Sequence, residues 1–122
     1  MNIENKAEKL IIILTRATFE GKVEWKEETA PDGLTDGTDD IFPLYLTTTY
    51  KKSDIGLFMR RYKSYHDEFE YSWGEGIGMC IIGERRTILW EYSERSSALI
   101  NLFEAAREQA SGINSILDDL LN

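Results

Sequence analysis

Between Ile55 and Tyr92 the chain reads IGLFMRRYKSYHDEFEYSWGEGIGMCIIGERRTILWEY, short runs of alternating side-chain character broken every few residues by turn formers. No other stretch constrains the fold as tightly. A parallel pairing needs a crossover of roughly a dozen residues or more, and none of these breaks is that long, so successive strands run antiparallel as a meander. Ile55–Tyr65 forms one strand, with Ile55, Leu57 and Met59 on one face and Phe58, Arg60 and Tyr62 on the other. His66-Asp67-Glu68 reverses the chain into Phe69–Trp73, where Phe69, Tyr71 and Trp73 alternate with Glu70 and Ser72. Gly74, Gly76 and Gly78 predict a bulge or a loop. Met79–Ile82 is apolar on both faces, as a central strand is, and Gly83–Arg86 turns into a last strand, Thr87–Tyr92.

Helices are expected before and after this sheet along the chain. Over residues 2–20, Ile3, Ala7, Leu10, Leu14 and Ala17 repeat at helical spacing, widened by Ile11 and Thr18. Asn2 is placed to cap that helix and Gly21 to end it. Lys22–Lys26 alternates and predicts a short strand with Val23 and Trp25 facing inward. Residues 28–43, punctuated by Pro31, Asp32-Gly33, Asp36-Gly37 and Pro43, predict a solvated acidic loop. Leu44–Tyr50 is a strand, and Lys51–Asp54 turns it into the next. After Ser93 or Ser96 as N-cap, Leu99, Leu102, Phe103, Ala106 and Ala110 mark a closing helix. Gly112 ends or kinks it, and Ile113, Ile116, Leu117 and Leu120 continue the spacing in a last short helix. The expectation is a single α+β domain over 1–122: an N-terminal helix, an antiparallel meander of about four to five strands, and one or two C-terminal helices.

Charge excludes one class of function. The net charge of −8 argues against general nucleic-acid binding through phosphate neutralisation. The charge is uneven, however: residues 51–90 hold seven basic and six acidic side chains, while both flanks are acidic. No apolar run approaches the roughly 18 residues of a membrane span, and MNIENKAEKL lacks the features of a secretion signal. The single cysteine, Cys80, lies between Met79 and Ile81 and reads as a buried thiol, so a cytoplasmic protein is expected.

Catalytic and metal chemistry find little in the residues. His66, the one histidine, sits in a charged turn, and its neighbours Ser64 and Asp67 point elsewhere on an extended backbone. An apolar setting raises a thiol pKa, which makes Cys80 a packing residue rather than a nucleophile. The aspartates of 28–43 match no EF-hand register, because Leu34 and Ile41 fall where a ligand and a glycine are required. Gly74-Glu75-Gly76-Ile77-Gly78 lacks the lysine and the strand-to-helix setting of a phosphate loop. No cofactor is called for.

What remains is an aromatic and basic strip: Arg60, Arg61, Tyr62, Lys63, Tyr65, Tyr71 and Trp73. Arginine and aromatics together stack on a base, hold a phosphate or anchor a protein hot spot. The same residues also describe a sheet face packed and salt-bridged by Glu68, Glu70 and Glu75.

A Gly-Lys-x-x-Trp turn at Gly21, Lys22 and Trp25, the Thr-Thr-Tyr strand and aromatic-rich meander of TTTYKKSDIGLFMRRYKSYHDEFEYSW and the helical end LINLFEAAREQASGINSILDDLL carry a resemblance over nearly the whole chain. In these the chain resembles small uncharacterised bacterial proteins of prophages and mobile elements. The resemblance implies a fold and a genomic setting and supplies no catalytic residue. The function expected first is a non-enzymatic acidic interaction protein that binds and neutralises a protein partner, as immunity and phage anti-defence proteins do. The alternative is a small-ligand binder or sponge that holds an anionic nucleotide on Arg60, Arg61 and Tyr62 at a dimer interface. A small enzyme ranks last. Ile12, Ile13 and the C-terminal helices leave apolar area for a homodimer.

Overall fold

The structure, a computed structural model, describes residues 2–122. Five antiparallel strands pair in sequence order, β1 (Lys26–Glu27), β2 (Ile41–Tyr50), β3 (Ser53–Tyr65), β4 (Tyr71–Ile82) and β5 (Ile88–Tyr92). Helix α1 (Ile3–Phe19) precedes the sheet, α3 (Ser97–Ser111) and α4 (Ile113–Leu121) follow it, and one helical turn, α2 (Asp32–Thr35), lies between β1 and β2. This is the α+β meander that the short connections require. No helix is long and apolar enough to cross a membrane among the described residues.

Helix α1 starts where Asn2 accepts a hydrogen bond from the Asn5 amide at 2.8 Å. It ends against Gly21, whose φ of 72° is left-handed. Ala7, Ile11, Leu14 and Ala17 are buried against Leu46, Ile55, Leu57 and Met79 of the sheet and Leu99, Leu102, Phe103 and Ala106 of α3. Of the expected stripe, Ile3 is exposed and Leu10 half-buried.

The short strand expected at Lys22–Lys26 is not there; β1 is only Lys26–Glu27. Residues 22–25 instead fold back on α1, with the Lys22 amide donating to Ala17 O at 2.8 Å. Their inward alternation survives, since Val23 and Trp25 are both buried. In place of a neighbouring strand, Gln109 of α3 serves their backbone. Its Oε1 accepts from the Trp25 amide at 2.8 Å, and its Nε2 donates to Val23 O at 2.8 Å. The Trp25 indole donates to Thr18 Oγ1 at 2.9 Å.

The 28–43 segment is not simply a solvated loop. Pro31 and Leu34 are buried, and with Ala30 and Phe42 they cover Tyr45, Phe58 and Cys80 on the sheet face away from α1 and α3. The sheet is therefore packed on both sides, and β2 begins at Ile41 rather than Leu44. Pro43 is tolerated there because the β2–β3 register shifts between Ile41 and Leu44.

The three glycines of β4 make neither a bulge nor a loop. Strand β4 runs unbroken from Tyr71 to Ile82, in unshifted register with β3. The reason lies across the strand. Phe58 pairs with Gly78 and Tyr62 with Gly74, and the outer atoms of each ring occupy the space above its glycine, where a Cβ would collide with them. Tyr45 covers Gly56 in the same way. The β2–β3 connection is tighter than expected, a two-residue turn at Lys51-Lys52 with both φ positive, as a type I′ hairpin demands. Ser96, the second of the two candidate caps, starts α3, accepting from the Leu99 amide at 3.3 Å.

Candidate functional site

Strand lengths in the sheet are unequal, and this creates the site. The five-residue β5 pairs with β4 only from Met79 to Ile82, and β2 leaves β3 at Arg61. Beyond these limits β3 and β4 continue as a two-stranded arm to the Tyr65–Tyr71 pair. Tyr71–Gly78 consequently has β3 on one side and no strand on the other.

Two turns determine which backbone groups face that open side. His66 donates its amide to Glu70 O at 2.8 Å, and Tyr50 pairs with Ser53 across a two-residue turn. Hydrogen-bonded pairs alternate in an antiparallel ladder. Even-numbered β4 residues therefore bond into β3, and Tyr71, Trp73, Glu75 and Ile77 turn their N–H and C=O outward.

The same alternation divides the sequence-predicted strip between two faces. Arg61, Lys63, Tyr65, Tyr71 and Trp73 share the face of Leu57 and Met79, that of α1 and α3. Arg60 and Tyr62 lie on the opposite face, opposite Gly76 and Gly74 rather than beside Tyr71 and Trp73. On the first face Arg61 lies 5.3 Å from the Trp73 ring centre and Lys63 4.8 Å from that of Tyr71. Tyr65, Tyr71 and Trp73 form a file with centroids 5.5 and 6.1 Å apart, and all three are exposed. Phe69 at the tip is 88% exposed, which no packing role explains.

Every cation of the strip meets a carboxylate. Arg60 grips Glu91 with two nitrogens at 3.1 and 3.3 Å, has Asp40 3.4 Å from Nε, and lies over the rings of Phe42 and Phe58, 5.3 and 5.1 Å from their centres. The Asp40 contact is ionic and too poorly aligned to hydrogen-bond the Nε proton, which has no other partner. Arg61 pairs with Glu75 at 3.6 Å and Lys63 with Asp39 at 3.7 Å. Glu68 and Glu70 take no part. The positive charge of the strip is thus cancelled locally.

Around the open edge of β4 lies a cleft of about 680 Å³. Glu75, Gly76 and Ile77 form its strand wall, and Arg95, Ile100, Phe103 and Arg107 the wall opposite, on and just before α3. Gly76 is the β4 glycine that no ring covers; a Cβ there would meet nothing within 4 Å, so the cleft reaches the backbone itself. Neither Arg95 nor Arg107 forms a salt bridge among the described residues.

His66 is exposed at the arm tip, with Nε2 3.1 Å from Ser72 Oγ. Asp67 holds that turn by accepting from the Phe69 and Glu70 amides at 2.7 and 2.9 Å. Cys80 is fully buried beside the Tyr45 hydroxyl, and burial pushes its thiol up to about 11. No known protein family, curated protein or solved structure matches the chain. The edge and the α3 wall of the cleft escaped sequence reasoning. The signal available was the length mismatch between β4 and β5, hidden once the glycines were read as a break.

Proposed function

We propose that this chain is a non-enzymatic interaction protein that takes up an extended segment of a partner protein as an added strand on the free edge of β4. The observation that carries this is the row of outward backbone groups at Tyr71, Trp73, Glu75 and Ile77, opening onto a cleft with α3 as its far wall. Such an edge is normally guarded by charged side chains, a proline or a covering segment; Tyr71–Gly78 has no proline or lysine, its one charge, Glu75, is paired with Arg61, and Ser93 reaches only the Gly78 end.

Magnitudes assign the roles. Each added ladder bond contributes about 1 kcal/mol net, while association costs an estimated 4–15 kcal/mol or so. Hydrogen bonds alone therefore fix the register and leave little affinity. The affinity would come from burying Trp73, Tyr71, Ile77 and Ile100, each exposed or half-buried in the free chain. Alternate residues of the captured strand face these groups, so an extended segment with apolar side chains at every second position fits. A net charge of −8 would draw a basic partner and speed its approach. Covering the partner's segment is also how the chain would neutralise it. The anionic-nucleotide alternative loses the cations expected for it, because Arg60, Arg61 and Lys63 each already face a carboxylate. Arg95 and Arg107, without a salt bridge among the described residues, share the cleft with Asp40, Glu75, Glu94 and Glu104.

Selection from a random peptide library, followed by amide hydrogen exchange, tests the proposal. Bound peptide should protect the amides of Tyr71, Trp73, Glu75 and Ile77, which exchange freely in the unbound chain. Glu75→Pro deletes one outward amide and no bond to β3. It should weaken binding about tenfold or more with little change in melting temperature, whereas Gly76→Pro, which loses a ladder bond, should destabilise the fold. Peptides that bind while leaving those four amides unprotected would sink the idea.

A further inference from the structure

A second surface, independent of β4, lies at the end of the chain. No residue of α4 is buried, and at nine residues it is shorter than the roughly 12–15 at which an isolated helix becomes marginal in water. Its persistence calls for a surface against its apolar face. Ile113, Ile116, Leu117 and Leu120 repeat at helical spacing on that face, and all are exposed, Leu120 at 77%. The chain also has an unfilled groove of the matching kind. Between α1 and α3 a depression of about 400 Å³ is lined by Ile12, Phe19 and Ala98, with Arg16 at its side. Lys9, Ile12, Arg16 and Phe19 follow one another at intervals of three and four, so cations and large apolar side chains share one stripe of α1.

The charges of the two surfaces are complementary. Helix α4 carries no cation, and at helical spacing Asp119 borders its apolar face while Asp118 lies on the far side. Lys9 and Arg16 form no salt bridge among the described residues, and Glu20, the groove's own carboxylate, is already held by Lys22 at 2.8 Å. We infer that α4 of one copy seats in the α1/α3 groove of a second copy, and reciprocally, making a twofold homodimer. Each copy offers one acidic amphipathic helix and one apolar groove flanked by cations. A reciprocal exchange fills both and closes the assembly, where a one-way contact would propagate. The β4 edge and its cleft take no part, so the dimer remains competent to bind a partner.

Sedimentation of the full chain over a range of concentrations tests this. The expected species has twice the mass of the chain. Leu120→Asp and Phe19→Asp alter exposed positions on the two halves of the contact, and each should give a monomer that still unfolds cooperatively and loses helical circular dichroism worth no more than the nine residues of α4. Arg16→Glu should weaken the dimer about tenfold, and Asp119→Lys in the same chain should restore it. A wild-type monomer at high micromolar concentration would overturn the inference. So would a dimer that Leu120→Asp dissociates while Phe19→Asp does not, which is helix pairing α4 to α4. A dimer lost only in Glu75→Pro, which is edge pairing, would equally overturn it.

Discussion

At the scale of single residues, the glycines of β4 separate packing from opening. Gly78 and Gly74 exist because Phe58 and Tyr62 lie across them, and Gly76 has no such neighbour. Replacement by alanine should therefore divide them sharply. Gly78→Ala must push the buried Phe58 ring out of a filled cluster and should cost about 1–3 kcal/mol. Gly76→Ala should fall within about 0.5 kcal/mol of wild type. Urea unfolding of the two variants measures both, and equal losses would mean that the ring-over-glycine contacts do not decide these positions. Arg60 teaches the opposite lesson about an apparent binding residue. Its charge, which stands out in the sequence, is spent on Glu91 and Asp40 and on two aromatic rings, so its task is to pin the second layer to the sheet.

At the scale of elements, the best-read parts were those governed by local rules. The spacing of α1, the Asn2 cap, the left-handed Gly21 and Gly112, and the alternation of β3 all follow from the residues themselves. The failures share a different cause: a partner distant in sequence. Val23 and Trp25 alternate like a strand, yet Gln109, more than eighty positions away, occupies the place of a neighbouring strand. Glycines that look like a break are strand because rings from β3 fill the space above them. The acidic loop has an apolar underside, Pro31 and Leu34, that finds use only once a second sheet face needs cover. The candidate site was half legible for the same reason: the exposed aromatics are in the sequence, but the open edge beside them depends on where β5 stops. Gln109 offers a direct check on such long-range substitution. Gln109→Leu leaves the Trp25 amide and Val23 O without partners and should cost about 2 kcal/mol or more. Amide exchange at Trp25 should rise well above that of its neighbours in α1; an unchanged rate would show that the glutamine is dispensable.

At the scale of the whole molecule, two apolar layers enclose one sheet, and the working surfaces lie where that enclosure stops. The helices do not reach the arm, β5 does not reach the upper half of β4, and α4 lies beyond the core altogether. Each incomplete boundary is a place for another chain. The unmatched length of β4 has one more consequence, which concerns solubility. An unguarded edge is a template for the same edge of another copy, and what opposes that stacking is mutual repulsion between molecules of net charge −8. Repulsion of this kind is conditional. It fades near the isoelectric point of about 4.7, and salt at about 1 M shortens its reach to roughly 3 Å. Light scattering should rise under either condition and should be suppressed by Glu75→Pro; scattering that grows equally in that variant would trace the aggregation to some other surface. The acidity of the chain thus has a colloidal role apart from any part in recognition, keeping an adhesive strand in solution until the intended one arrives.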